Sequence, residues 1–270
     1  MNTTCTRHPG VYPARAQRGF TLVELMVTVG IALFLLWGLT TVVQNVRTAN
    51  LNQQGLANLQ DQERFALTVI TDVVQAGGYL PDATAWTPES SLPITPNYAT
   101  AGQAFFGTHQ VAAPGDTLQI RYRTGLDHDG NPDGVILCNG STNTAQLPSQ
   151  FFTNIFSVVP QGGVVGGLYC QLQSGNAAPP PAVLLVPGVQ SMTVYYGVKR
   201  DFTYNDYNVD TYLTADQMLN TDWTNISAVR VILTFTNPLY TTGNPIGPGN
   251  EPTITFERVI EVMGRGGVHT

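Results

Sequence analysis

Three groups of residues in this 270-residue chain have types and spacings that could do chemistry. The first is Glu24, the single charge between Phe20 and Val43. A carboxylate deep in lipid costs roughly 2.5–3.5 kcal/mol on insertion scales, so a charge there needs a partner. No Lys, Arg or His follows it within a helical turn, and Arg18 lies on the other side of Phe20. A chain cut just before Phe20 would carry an α-ammonium at that depth, and the amine of one chain would neutralise Glu24 of its neighbour. The second group is Cys138 and Cys170, left over once Cys5 is set aside near the N-terminus. In an oxidising compartment they predict a disulfide, with a loop closure of about 3–4 kcal/mol on the chain-entropy model. Two buried thiols are the alternative, and zinc lacks a second pair of Cys or His nearby.

The third group is Asp127, Asp129, Asn131 and Asp133, with Gly134 next in line. Asp129, Asn131, Asp133 and Gly134 fit the opening of a calcium loop, with Asp127 as an extra oxygen ligand. The glutamate of the twelfth loop position is missing, and Gly140 stands there. The same residues build a hairpin turn unaided, and this is the favoured reading. Apart from this Ca2+, no cofactor is expected. Catalytic patterns are absent from the sequence: no G-x-S-x-G elbow, no Walker A loop and no H-E-x-x-H. The histidines, His8, His109, His128 and His269, are scattered, and Gly162 to Gly167 has no phosphate-loop lysine. A non-enzyme is expected. With 18 acidic and 12 basic residues and a net charge of −6, no nucleic-acid partner is expected either.

The elements that must position these groups follow from periodicity. The apolar run Phe20–Val43 would span about 36 Å as a helix, enough to cross a bilayer. Arg7, Arg15 and Arg18 precede it without an acid, which predicts a cytoplasmic N-terminus and a C-terminal portion on the other side of the membrane. The run is too long for a Sec signal and no small-residue cleavage site closes it. Helix signals continue, with Leu56, Leu59, Ala66, Ile70 and Val73 on one stripe, to a stop at Gly77-Gly78. One helix is therefore expected from about Thr21 to Ala76. A Pro-rich irregular stretch, Leu80 to Gly115, follows. Strands are expected at Thr117–Arg123, Val135–Cys138, Gly167–Leu172, Val183–Val186, Val189–Val198, Ala228–Thr236 and Thr253–Val262, and a capped turn at Thr214 with Gln217. The fold class is α+β, a long N-terminal helix packed on a β-rich, mainly antiparallel head, expected as one sheet. The expected divisions are residues 1–19, 20–44, 45–77 and 78–270.

Arg18-Gly19-Phe20-Thr21-Leu22-Val23-Glu24-Leu25 resembles the class III signal of type IV prepilins and type II secretion pseudopilins. The resemblance implies a prepilin peptidase that cuts after Gly19, N-methylation of Phe20, and a role for Glu24 in recruiting the subunit into a filament. Many members carry a proline partway along the apolar run; this chain has only Gly30 and Gly38 there. Removing residues 1–19 takes away three basic residues and no acid, moving the net charge from −6 to −9. Arg64-Phe65-Ala66, Ala76-Gly77-Gly78-Tyr79, Leu185-Val186-Pro187-Gly188, Tyr195-Tyr196-Gly197-Val198 and the run from Trp223 to Val231 resemble the narrower PilW-type minor pilins. That resemblance implies a minor pilin of the type IV pilus that helps prime assembly and supports adhesion and twitching motility. Its partners would be other minor pilins, the major pilin and the inner-membrane assembly platform, and its destination the pilus at the cell surface. A minor pseudopilin of type II secretion is one alternative. A membrane-anchored, calcium-dependent binding module that does not polymerise is another.

Overall fold

The computed structural model describes residues 19, 21–142, 150–161, 164–201, 208–244, 246–247 and 250–263. Helix α1 runs Leu22–Gln75, within a residue of the expected span at each end. It crosses two compact units, 1–53 and 54–270. In the first unit every described side chain of the helix is exposed, apolar ones included. In the second, Leu59, Ala66, Ile70 and Val73 are buried as the stripe predicted, with Leu67 and Val74 widening it.

The glycines end the helix for two separate reasons. Gly78 takes a positive φ of 79°, which a side chain resists, and its N–H donates to Arg121 O at 2.9 Å. Gly77 has no room for a side chain, since a Cβ there would lie 2.4 Å from the Phe105 ring.

The C-terminal unit holds two antiparallel sheets, not the single sheet expected. The first is a meander in the order β1 (Phe105–Thr108), β2 (Thr117–Thr124), β3 (Gln150–Gln161), β4 (Val164–Ser174) and β5 (Val183–Pro187). The second has the order β7-β6-β8-β9, with β6 Val189–Val198, β7 Thr211–Leu213, β8 Ile226–Thr236 and β9 Thr253–Glu261. Leu118, Ile120, Phe156 and Leu168 from the first sheet share one core with Val194, Val229, Val231 and Leu233 from the second and with the buried helix stripe.

Strand β3 was not anticipated. Thr153 and Asn154 are buried in its middle and interrupt the apolar–polar alternation that marks a strand. The strand expected at Val135–Cys138 is not formed. Only an isolated bridge joins Ile136 to Thr142, because Leu137 N bonds Ser141 O and Gly140 N bonds Leu137 O, closing a turn instead.

The irregular stretch after the helix contains the short α2 (Pro88–Ser91), capped by Thr87. Two buried arginines of β2 fasten it. Arg121 donates to Gln103 O through Nε (3.2 Å) and Nη2 (2.6 Å), and to Pro93 O through Nη1 (2.8 Å). Arg123 donates to Ser91 O and lies 4.0 Å from the Trp86 ring centre. The expected turn at Thr214 forms a 3₁₀ helix, Ala215–Gln217, with its capping box.

Candidate functional site

Glu24 sits in the first turn of α1, where a carboxylate complements the helix dipole. Its N–H donates to Thr21 Oγ1 at 3.3 Å, so Thr21 caps the helix. No cation pairs with Glu24 among the described residues. Around it Leu22, Val23, Leu25 and Met26 are exposed. Gly19 is exposed too; Phe20 and residues 1–18 lie outside the described residues.

The rest of the apolar segment is fit for a medium without water. Thr28 Oγ1 donates to Leu25 O (2.9 Å), and Thr40 and Thr41 both donate to Trp37 O (2.8 and 3.1 Å). Each hydroxyl that the segment carries is therefore satisfied by its own helix, as lipid requires. The helix continues through Gly30 and Gly38, and a Cβ at either would meet nothing within 4 Å. The exposed apolar surface and the internally satisfied threonines leave Glu24 as the one charged group of this segment, without a partner among the described residues. In the sequence these threonines are visible only as hydroxyls within a helical apolar run, where each can reach the carbonyl three or four residues before it.

Cys138 and Cys170 form the expected disulfide, with Cα atoms 6.0 Å apart and both residues buried. It links the turn after Ile136 to β4. Asn154 supports the same junction from β3 by accepting from Cys138 N at 2.9 Å, and Tyr122 Oη donates to Ile136 O at 2.6 Å. Burial raises the Tyr122 phenol well above its usual range.

The acidic loop turns its carboxylates on its own backbone. Asp127 Oδ1 accepts from Asp129 N (3.0 Å) and Asn131 N (2.8 Å), and Asp133 Oδ2 accepts from Gly125 N (2.8 Å). A bridge between Leu126 and Pro132 closes the turn, with Gly130 and Gly134 at positive φ. Among the described residues, no group of three or more His, Cys, Asp or Glu is arranged to hold a metal ion.

His109 meets Asp116 at 2.8 Å, but that carboxylate also accepts from Gln110 N (2.9 Å) and Val194 N (2.7 Å). The pair joins the β1–β2 connection to β6 and is explained as a structural tie. His128 lies 3.8 Å from Asp82 at the surface, and His269 is outside the described residues. Aromatic residues concentrate in the C-terminal third, at Tyr195, Tyr196, Tyr204, Tyr207, Tyr212 and Trp223. Tyr196 and Trp223 are buried against each other, 5.0 Å between ring centres, and Phe106 lies 5.4 Å from Trp223. Tyr212 is partly exposed, and Tyr204 and Tyr207 are outside the described residues.

One apolar helix long enough to span a membrane, with a carboxylate in its first turn and its C-terminal part packed on antiparallel sheets, defines a pilin-like α+β protein. Residues 14–40 match the model of the prokaryotic N-terminal methylation motif, and residues 155–257 match that of type IV pilus-assembly protein W, PilW. The two matches, in different parts of the chain, are together those of a type IV minor pilin. No curated protein and no solved structure gives a significant match. The motif implies contact with the peptidase that cleaves it and with other pilus components, and it points to membrane anchoring. Pilin-family domains are structural rather than catalytic.

Proposed function

We propose that the chain is a minor pilin that enters the inner membrane with its N-terminus in the cytoplasm, is cut after Gly19 and is methylated on Phe20. The head then lies in the periplasm, and the subunit passes from lipid into the pilus. The mechanism is assembly rather than catalysis. Exposed apolar residues of α1 leave lipid for the apolar flanks of neighbouring helices, so the transfer is nearly neutral in hydrophobic terms. What changes is the environment of Glu24. In lipid its charge is costly; beside the new α-ammonium of a neighbour it is paired. Cleavage thus creates the cation that makes the filament better than the membrane, and it fixes the axial register of adjacent helices.

The observation that carries this reading is the methylation-motif match laid over the exposed apolar first part of α1, Leu22 to Val43, whose only charge is Glu24. As a minor pilin the chain joins other minor pilins and the assembly platform in priming the pilus, and so supports adhesion and twitching motility. The PilW match over 155–257 favours the pilus over a type II secretion pseudopilus. Mass spectrometry of the chain from its native membrane tests the reading. A mature terminus at methylated Phe20 is expected; an intact Met1 terminus, or a cut elsewhere, overturns it.

A further inference from the structure

We propose that the edge of β9, which no strand covers among the described residues, takes an additional β-strand from a partner protein, supplied by an extended segment in which basic residues alternate with apolar ones. Sheet edges are normally blunted by shortness, proline or a bulge. Three of the four sheet edges among the described residues obey that rule. Strand β1 has four residues and β7 three; β5 has five, ends in Pro187, and its pairing with β4 slips between Leu168 and Tyr169. Strand β9 has nine residues, and its register with β8 is unbroken from Thr236↔Thr253 to Ala228↔Glu261.

The hydrogen-bond phase shows which groups that edge offers. Val262 N donates to Ser227 O (3.0 Å) and Asn237 N to Pro252 O (2.9 Å). In an antiparallel ladder the bonded pairs recur every second residue, so the even-numbered residues of β9 face β8. Thr253, Thr255, Glu257, Val259 and Glu261 therefore send N–H and C=O away from the sheet. Their side chains are all exposed, and among the described residues no backbone bond reaches these groups.

The partner's chemistry follows from the two faces of the strand. On the inner face Ile254 and Phe256 pack on the core yet stay only partly buried, and Phe256 meets Phe235 edge-on at 5.7 Å. Apolar residues of an added strand would continue that face. On the outer face Glu257 and Glu261 flank Val259; Glu257 is met by Arg230 at 2.8 Å, and Glu261 has no ion pair among the described residues. Lys or Arg on the added strand would sit beside them. A second copy fits less well, because antiparallel pairing centred on Glu257 sets that carboxylate against its own twin. Strand addition of this kind draws affinity from main-chain bonds and selectivity from alternate side chains.

The proposal does not rest on the pilus reading and is tested apart from it. The full chain in detergent micelles is titrated with a synthetic eight-residue peptide of alternating Lys and Val, and amide exchange is followed by mass spectrometry. Binding should slow exchange at Thr255, Glu257 and Val259 by about tenfold or more. Val259→Pro removes an edge donor while leaving the ladder to β8 intact, and it should weaken binding by about tenfold or more, the loss of roughly 1.4 kcal/mol. Glu261→Lys, which leaves the backbone alone, should weaken the Lys–Val peptide and favour a Glu–Val peptide. The proposal is overturned by failure of the peptide to bind, by exchange at those amides that stays fast, or by equal binding to Val259→Pro and Glu261→Lys. Self-association of the chain that protects the same amides without peptide overturns it in favour of a second copy.

Discussion

Arg121 offers a test in which two large effects oppose each other. The guanidinium is fully buried and, among the described residues, no carboxylate pairs with it. Its partners are the carbonyls of Gln103 and Pro93, and it lies over the Tyr98 ring at 3.6 Å. Burial lowers its pKa to about 10, so it stays charged at neutral pH. Replacing a buried ion pair by apolar residues is often neutral, because both charged partners are removed together. Here the partners are backbone, and no substitution at position 121 removes them. Arg121→Met relieves the desolvation of one cation but strands the buried acceptor of Gln103, at about 1–3 kcal/mol, leaves the half-buried carbonyl of Pro93 without its donor, and gives up a desolvated cation–π contact of roughly 2 kcal/mol. We expect a net destabilisation of about 2–4 kcal/mol. At roughly 2–4 °C per kcal/mol for a head of this size, Tm should fall by about 5–15 °C in differential scanning calorimetry. Amide exchange around Gln103 should accelerate as well. A variant as stable as the parent, or more stable, would show that desolvation outweighs the carbonyl contacts and that the reasoning is wrong.

Two further outcomes concern the head. Replacing Cys138 and Cys170 together by Ser should lower head stability by about 3–4 kcal/mol by denaturant unfolding, and reductant should then no longer change the midpoint. A parent whose midpoint is already insensitive to reductant would contradict this. Asp222, buried and accepting from Arg200 (Nε at 3.2 Å, Nη2 at 2.5 Å) and Leu219 N (2.8 Å), is held below the usual carboxylate range, chiefly by the Arg200 bond. A depressed carboxylate stabilises above its unfolded pKa, and that contribution fades as pH falls through the folded one. Asp222→Asn should therefore cost about 1–2 kcal/mol at pH 7, Arg200 being partly solvated, and the gap should narrow below roughly pH 4. A gap independent of pH would refute the assignment.

What the sequence made legible was whatever rested on period or on a rare residue. The continuous apolar run and the Leu59–Val73 stripe gave α1 almost to the residue, and Gly77-Gly78 gave its end. The Val189–Val198 alternation gave β6 with the same bounds. Two cysteines and one stranded carboxylate pointed to the disulfide and to the candidate site. Strand β3 stayed hidden because its centre buries Asn154, whose value lies in a bond to Cys138 N, sixteen positions earlier. Strands β1 and β7 were too short for period to register. In β2, Leu118, Ile120 and Tyr122 alternate with Gln119, Arg121 and Arg123, a period that puts the arginines on the outward face, and only the tertiary contact with Gln103, Pro93 and Ser91 buries them. The β9 edge was equally out of reach, since an edge is defined by its place in the sheet order, which only the strand pairing shows.

The central claim is that Glu24 drives the helix into the filament by meeting a neighbour's amine. The most direct measurement is the amount of the chain in sheared, purified pili relative to the membrane, compared between the parent and Glu24→Ala. Losing a desolvated charge pair should reduce incorporation by about tenfold or more, while membrane level and cleavage at Gly19 stay the same. Equal incorporation of the two chains would contradict the account.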